Sequence, residues 1–333
     1  MKGMKIFPFV TGVLGILVLS LFFSCTKPTD HGPVERLRVG VSSPVLCSLL
    51  YIAAEKGLFK RHGLDVTFEK HEAGAYAVND LLAGKVDVAT AAEFVLALQF
   101  PKSRHLRAVG SVSATDSIEV VVRKDHGIAR PPDLKGKRVG VTKGTISEFF
   151  LSTFLSFNGL RSGDIQAFDL TPSEMVSSFA EGKIDAAVAF PPFLDAMKKR
   201  VGEEALSWPA QGGQAYTFLL ICNEELIRSR PRAISSLLKG VLEAETFVEN
   251  HGKEAQDIMA TALNLSPETV STTWAKSRFR VRLDQDLLTL MEDEARWAVR
   301  NKLIEPESVP NYFFPLYLDG LEQLKPGAVG VIH

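Results

Sequence analysis

Two short turns hold residue types suited to gripping a small polar ligand. Ser42-Ser43-Pro44 follows the apolar alternation Leu37-Arg38-Val39-Gly40-Val41, and Gly144-Thr145-Ile146-Ser147 follows Lys137-Arg138-Val139-Gly140-Val141. In each, hydroxyls and the free backbone N–H groups of a starting helix form a polar point friendly to anions. Ordinary helix capping explains the same residues. Gly144 lets backbone approach a ligand closely. Ala92 and Glu93 close an apolar run, and a carboxylate there is unexpected because buried acids are rare unless paired. Glu93 suits an amine or a ring nitrogen and would repel a sulfonate or nitrate; a helix-starting acid is the alternative. Phe190 offers a flat apolar wall, and Pro191 and Pro192 fix its turn. Ser111, Ser113, Asp116 and Tyr216 are further candidates to line a cleft.

The elements that position these residues occur twice. LLAGKVDVATAAEF at 81–94 and FAEGKIDAAVAFPPF at 179–193 share Gly-Lys-apolar-Asp, with Gly84, Lys85 and Asp87 each 98 positions before Gly182, Lys183 and Asp185. The first copy reads as a strand over 37–41, a helix over 46–60, a strand over 64–68, a helix over 75–83 closed by Gly84, and a strand over 86–89 that runs on to Glu93. The second has a strand over 137–141, a helix to about Gly159, a strand over 165–170, a helix capped by Thr171 with Glu174 in a capping box, and a strand over 184–189. Strand-helix alternation of this kind implies mostly parallel sheets covered by helices. Ligands of open α/β sheets sit beyond the carboxyl ends of the strands. Two facing lobes would bring both sets of strand ends into one cleft. SIEVVVRK at 117–124 and YTFLLICN at 216–223 read as the strands that cross between lobes. The tail from Glu224 to Lys325 reads as helical, with amphipathic faces over 234–248 and 284–299 that buttress lobe one.

The chain has 333 residues, is 46% hydrophobic and 23% charged, and carries a formal charge of −1. That balance excludes a disordered chain and argues against nucleic-acid binding. Lys2 and Lys5, an apolar run from Ile6 to Phe23, then Ser24 and Cys25 form an export signal. Its ending resembles the lipobox of bacterial lipoproteins, which implies a lipidated Cys25; a plain transmembrane anchor is the alternative. Residues 26–35 read as a tether. Cys47 and Cys222 are read as separate buried thiols, with a disulfide as the alternative. There is no cysteine-histidine cluster with metal-ligand spacing, so neither metal nor cofactor is expected. His62, His71, His105 and His126 are read as solvated.

Together, "AAEKGLFKRHGLDV" at 53–66, "LLAGKVDVA" at 81–89, "DLKGKRVGVTKGT" at 133–145 and "EGKIDAAVAFPP" at 181–192 resemble the periplasmic solute-binding proteins of ABC importers, in the branch that binds nitrate, sulfonates, taurine and thiamine pyrimidines. The resemblance implies a two-lobed type II "Venus flytrap" α/β fold. Its segments would be a signal peptide at 1–24, a lipidated cysteine and tether at 25–35, lobe one at 36–117 plus 215–333, and lobe two at 118–214. It implies an exported, membrane-tethered monomer that delivers a small solute to a permease powered by a separate ATPase. The expected ligand contacts are Ser42, Ser43, Pro44, Ala92, Glu93, Ser111, Gly144, Thr145, Ile146, Ser147, Phe190, Pro191 and Tyr216. A tethered solute sensor is one alternative. An enzyme of the thiamine-pyrimidine-synthase type is another, although that type's cysteine-rich motif is missing here. No catalytic set can be assembled, and a non-enzyme is expected.

Overall fold

The structure is a computed structural model that describes residues 33–305 and 309–332, with Met1 and Gly3. The expected signal segment and Cys25 lie outside the described residues. The strands are β1 (Glu35–Val41), β2 (Leu64–Lys70), β3 (Val88–Ala92), β4 (Leu106–Thr115), β5 (Glu119–Arg123), β6 (Arg138–Val141), β7 (Gln166–Asp169), β8 (Ala186–Ala189), β9 (Ala205–Pro209), β10 (Tyr216–Asn223), β11 (Ser277–Arg278), β12 (Leu283–Asp284) and β13 (Val329–Gly330).

Two sheets carry the fold. One has the order β11-β4-β10-β3-β1-β2 and the other β7-β6-β8-β5-β9. In each, three neighbouring strands are parallel: β2-β1-β3 and β7-β6-β8. The remaining pairings are antiparallel, so the sheets are mixed where the sequence suggested mostly parallel ones. The reason is connectivity. A chain that leaves one lobe and returns must re-enter each sheet running against the parallel strands. The helices Ser48–Glu55 and Pro231–Asn250 pack together on lobe one, and Gln285–Arg300 packs against Glu93–Gln99.

Three local readings are corrected. The helix expected over 46–60 is broken into a 3-10 turn (Pro44–Cys47), a helix (Ser48–Glu55) and a short turn (Leu58–Arg61), because Gly57 adopts φ 66°. The third strand begins at Val88, and Glu93 opens a helix instead of ending the strand. His62, His71 and His126 are not merely solvated, since each meets a carboxylate: Glu243 at 2.6 Å, Asp80 at 3.0 Å and Asp185 at 2.7 Å. The Thr171–Glu174 capping box is present in both directions. Cys47 and Cys222 are both buried and free.

The repeated Gly-Lys-apolar-Asp motif has a structural use. Asp87 accepts the Arg38 backbone N–H at 2.7 Å and its guanidinium at 3.2 Å, while Arg38 Nη2 donates to the Gly84 carbonyl at 3.1 Å. In the second copy Asp185 accepts the Arg138 N–H at 2.7 Å and Nη2 at 2.6 Å, and Nη2 also donates to the Gly182 carbonyl at 2.8 Å. Each clasp ties the turn before the third strand of its lobe to the first strand. Burial works to raise the Asp185 carboxyl, but Arg138 and His126 outweigh it and hold it well below its ordinary 3.8. This stabilisation is present above the ordinary value and is lost as pH falls towards the depressed one.

The second clasp is better shielded, with the Asp185 side chain 10% exposed against 21% for Asp87. Asp185→Asn is therefore expected to be the costlier change, because it removes the shielded carboxylate that holds both Arg138 and His126. Asp87→Asn should cost about 1 kcal/mol, as for an exposed pair. Urea denaturation of the two variants checks the order; equal losses would mean that the clasps do not depend on shielding.

Candidate functional site

The turns after β1 and β3 in lobe one and after β6 and β8 in lobe two carry most of the expected contacts. Ser42 is fully buried and spent on the protein. Its N–H donates to Thr90 Oγ1 at 3.1 Å and its hydroxyl to the Thr90 carbonyl at 3.2 Å, locking β1 to β3. Ser43 sits at φ 46° before Pro44 and makes no side-chain cap, so its hydroxyl is uncommitted. Ala92 ends β3, with 4% of its surface exposed.

In lobe two, Gly144 adopts φ 71°, and its N–H donates to Glu148 Oε2 at 2.9 Å. The Thr145 hydroxyl donates to the Thr142 carbonyl at 2.7 Å, so Thr145 stiffens the turn before the helix Ile146–Phe157. Ile146 is buried against the core. Ser147 is fully buried, and its hydroxyl has no partner among the described residues. Phe190 is buried edge-on to Phe193 at 5.7 Å, followed by the cis Pro191–Pro192 bond. Ser111 is engaged elsewhere, donating to the Arg280 carbonyl at 2.7 Å. Asp116 is exposed.

The lobes close over one group of these residues. Tyr216 is buried, with its ring 6.3 Å from that of Phe150 on lobe two. Its hydroxyl, raised by burial, lies within electrostatic reach of Ser117, Glu93 and Cys47. Phe94 and Trp297 of lobe one meet Phe149 of lobe two at 6.0 and 5.6 Å. Glu72 of lobe one accepts the Ser173 hydroxyl of lobe two at 2.5 Å. Near the crossings, Glu119 of β5 is held by Lys198 at 2.6 Å and by Lys276 at 2.7 Å. Gln211 joins the two crossings, accepting the Ile118 N–H at 2.8 Å and donating to the Thr115 carbonyl at 3.2 Å.

Glu93 is the charged member of the expected set. It is fully buried; Oε2 accepts the Thr217 N–H at 2.7 Å, and Oε1 has no partner among the described residues. Burial pushes its carboxyl up to about 8 against the pull of Thr217. Glu294, buried on the neighbouring helix with both oxygens unpartnered, is raised by burial and by the Glu93 charge. In both, burial favours the neutral acid, and a neutral carboxyl can donate as well as accept a hydrogen bond. That chemistry suits a solute with N–H and ring-nitrogen groups.

Sequence reasoning missed Glu294 and the wall of Phe94, Phe149, Phe150 and Trp297. Glu294 had a signal: Leu287, Met291, Glu294 and Ala298 fall on one helical face, and all four are buried. The aromatic wall had none, because its members come from helices far apart in sequence.

Paired α/β sheets joined by two crossings, with strand-end turns facing one another, define a two-lobed periplasmic-binding-protein-like fold. A solved alkanesulfonate-binding protein, SsuA from Xanthomonas axonopodis pv. citri bound to MOPS, has the same fold, with a TM-score of 0.73 at 20% identity over 86% of this chain and 99% of that one. The chain belongs to the NMT1/THI5-like family, whose model matches residues 47–255. It is also 29% identical over 228 residues to a candidate binding protein of Brucella abortus (strain 2308), covering 68% of this chain and 70% of that one. The taurine-binding periplasmic protein of Escherichia coli (strain K12) is 24% identical over 58% of this chain and 60% of its own length.

Because the folded Glu93 carboxyl lies above its ordinary 4.5, ionising it opposes folding, and stability should decline as pH rises from about 4.5 to about 8. Glu93→Gln, which mimics the protonated acid, should remove most of that decline in denaturation curves taken across this range. A slope unchanged in Glu93→Gln and in Glu294→Gln would clear both carboxyls of the effect.

Proposed function

We propose that this protein is the extracytoplasmic solute-binding component of an ABC importer. It captures a small organic solute between its lobes and delivers it to a membrane permease driven by a separate ATPase. One observation carries the reading: each lobe offers a buried polar atom without a partner beside its strand-end turns, Glu93 Oε1 from lobe one and Ser147 Oγ from lobe two. Burying such atoms unpaired costs free energy, and a ligand clasped by both lobes restores the missing hydrogen bonds. Closure then follows the contacts that only the closed state provides. The N-terminal signal pattern and Cys25 support a lipid-tethered protein outside the cytoplasm. In this reading it works as a monomer, with lobe one at 36–117 plus 215–333 and lobe two at 118–214.

Relatives include sulfonate- and taurine-binding proteins; here a neutral acid that both donates and accepts, next to an aromatic wall, favours a flat ring with N–H and ring-nitrogen groups, of the pyrimidine kind. The same chemistry favours binding over catalysis. Cys47 is buried, and its thiol is pushed up to about 12, far from a thiolate nucleophile. His62, His71 and His126 are tied to Glu243, Asp80 and Asp185.

The test is a thermal-shift screen with nitrate, alkyl and aryl sulfonates, taurine, aminopyrimidines, flavins, aromatic acids and polyamines. A solute at 100 times its dissociation constant should add about 2.7 kcal/mol of stability. The expected hit is an aminopyrimidine or amine whose shift is lost in Glu93→Ala and Thr145→Ala. A hit untouched by both changes would overturn the site. Silence across the panel in ligand-free protein would overturn the importer reading.

A further inference from the structure

A second cavity, of about 620 Å³, lies beside the crossing strands and is separate from the strand-end turns. Its walls are the end of β4, the start of β10, the segment that includes β11, and the first turns of the helix Gln285–Arg300. Lobe two contributes only Gln214 to it, where the chain returns through the crossing.

The segment from 278 to 283 alternates strictly. Phe279, Val281 and Leu283 are buried, whereas Arg278, Arg280 and Arg282 are exposed and line the cavity. Period two is what an extended chain imposes, and it delivers three guanidiniums to one side. The backbone beneath them is pinned. Arg278 pairs with Ala114 of β4, and Ser111 accepts the Arg282 N–H at 3.1 Å and donates to the Arg280 carbonyl. Two of the guanidiniums are already paired, Arg280 with Glu249 and Arg282 with Asp284. The Arg278 guanidinium has no hydrogen bond or ion pair among the described residues. Ser113, 1% exposed, also lines the cavity, and its hydroxyl is without a partner. The buried hydroxyl is owed a hydrogen-bond acceptor, and the uncommitted guanidinium beside it offers an acid a charged fork.

We infer that this cavity is a second ligand site, which takes a small organic acid of single negative charge with an apolar body. Arg278 grips the acid head as a fork, and Ser113 donates to it. Leu287, Leu290 and Ala114 receive the body. Asp286, on the same wall and likewise uncommitted, sets the limit of one negative charge, because a dianion would face its carboxylate. The volume is that of a small-molecule site. This inference goes beyond the interlobe reading; of the ligand contacts expected there only Ser111 borders this cavity, and its hydroxyl is spent on the Arg280 carbonyl.

Calorimetric titration at low salt tests it, with benzoate as the probe and inorganic phosphate as the dianion. Benzoate is expected to bind wild type and Thr145→Ala alike, and to bind at least about tenfold more weakly to Arg278→Met, the scale of one lost charge-assisted fork. Arg278→Lys should fall between, and Ser113→Ala should weaken binding less than Arg278→Met does. Phosphate should bind more weakly than benzoate. Benzoate affinity unchanged in Arg278→Met, affinity lost only in Thr145→Ala, or no binding up to the solubility limit would each overturn the second site. Loss in Thr145→Ala alone would place benzoate between the lobes instead; the other outcomes leave the interlobe reading, tested through Glu93, untouched.

Discussion

The Arg–Asp clasp is the constraint on which both lobes depend. Arg38 reaches Asp87 and the Gly84 carbonyl, and Arg138 reaches Asp185 and the Gly182 carbonyl. A parallel three-strand unit needs its crossover helices to end at a set height above the sheet. The left-handed glycine ends the helix, and the carboxylate three residues on fixes the first strand beside it. With the amino ends clamped, the opposite ends of β1, β3, β6 and β8 are left to form open turns. The Gly-Lys-apolar-Asp repeat thus acts at a distance from the ligand. It holds the scaffold that puts Ser43 and Ser147 where they are.

The second constraint is what the closed lobes bury. Phe94, Phe149, Phe150, Tyr216 and Trp297 supply apolar area across the interface. Glu93 and Glu294 oppose it, since each is buried with an oxygen lacking a partner. A fold that needed stability alone would place apolar residues there. In the reading proposed above, a solute that satisfies them offsets the cost of keeping two acids, and that difference lets ligand drive closure. Around the crossings, Gln211 and the Lys198–Glu119–Lys276 bridge join the lobes without filling the space between them.

Local signals made the architecture legible in the chain. Alternating Val-Gly-Val runs, the Gly84 and Gly182 stops, and the Thr171–Glu174 box set strand and helix positions through backbone propensity and nearest neighbours, and the structure has the corresponding elements. Where local signals competed, reading failed. Gly57 split a helix that hydrophobic periodicity made continuous, and Glu93 was placed on a strand although its acid suits a helix start equally well. The antiparallel strands in each sheet follow from the path of the whole chain, and no local window contains that path.

Sequence by itself determined the two-lobed α/β plan, the duplicated units and the residues at the strand-end turns, because these follow from periodicity, glycine and capping over a few neighbours. Only the tertiary structure decided which of those residues keep a free polar atom. Ser42 and Thr145 spend their hydroxyls on Thr90 and Thr142, whereas Ser147 and one oxygen of Glu93 are left over. It also decided that Arg278, Arg280 and Arg282 share one cavity with Ser113, across more than a hundred residues of chain. Hydrogen-bond satisfaction is a property of the packed interior, where water is gone and each donor has only the partners that the fold brings to it.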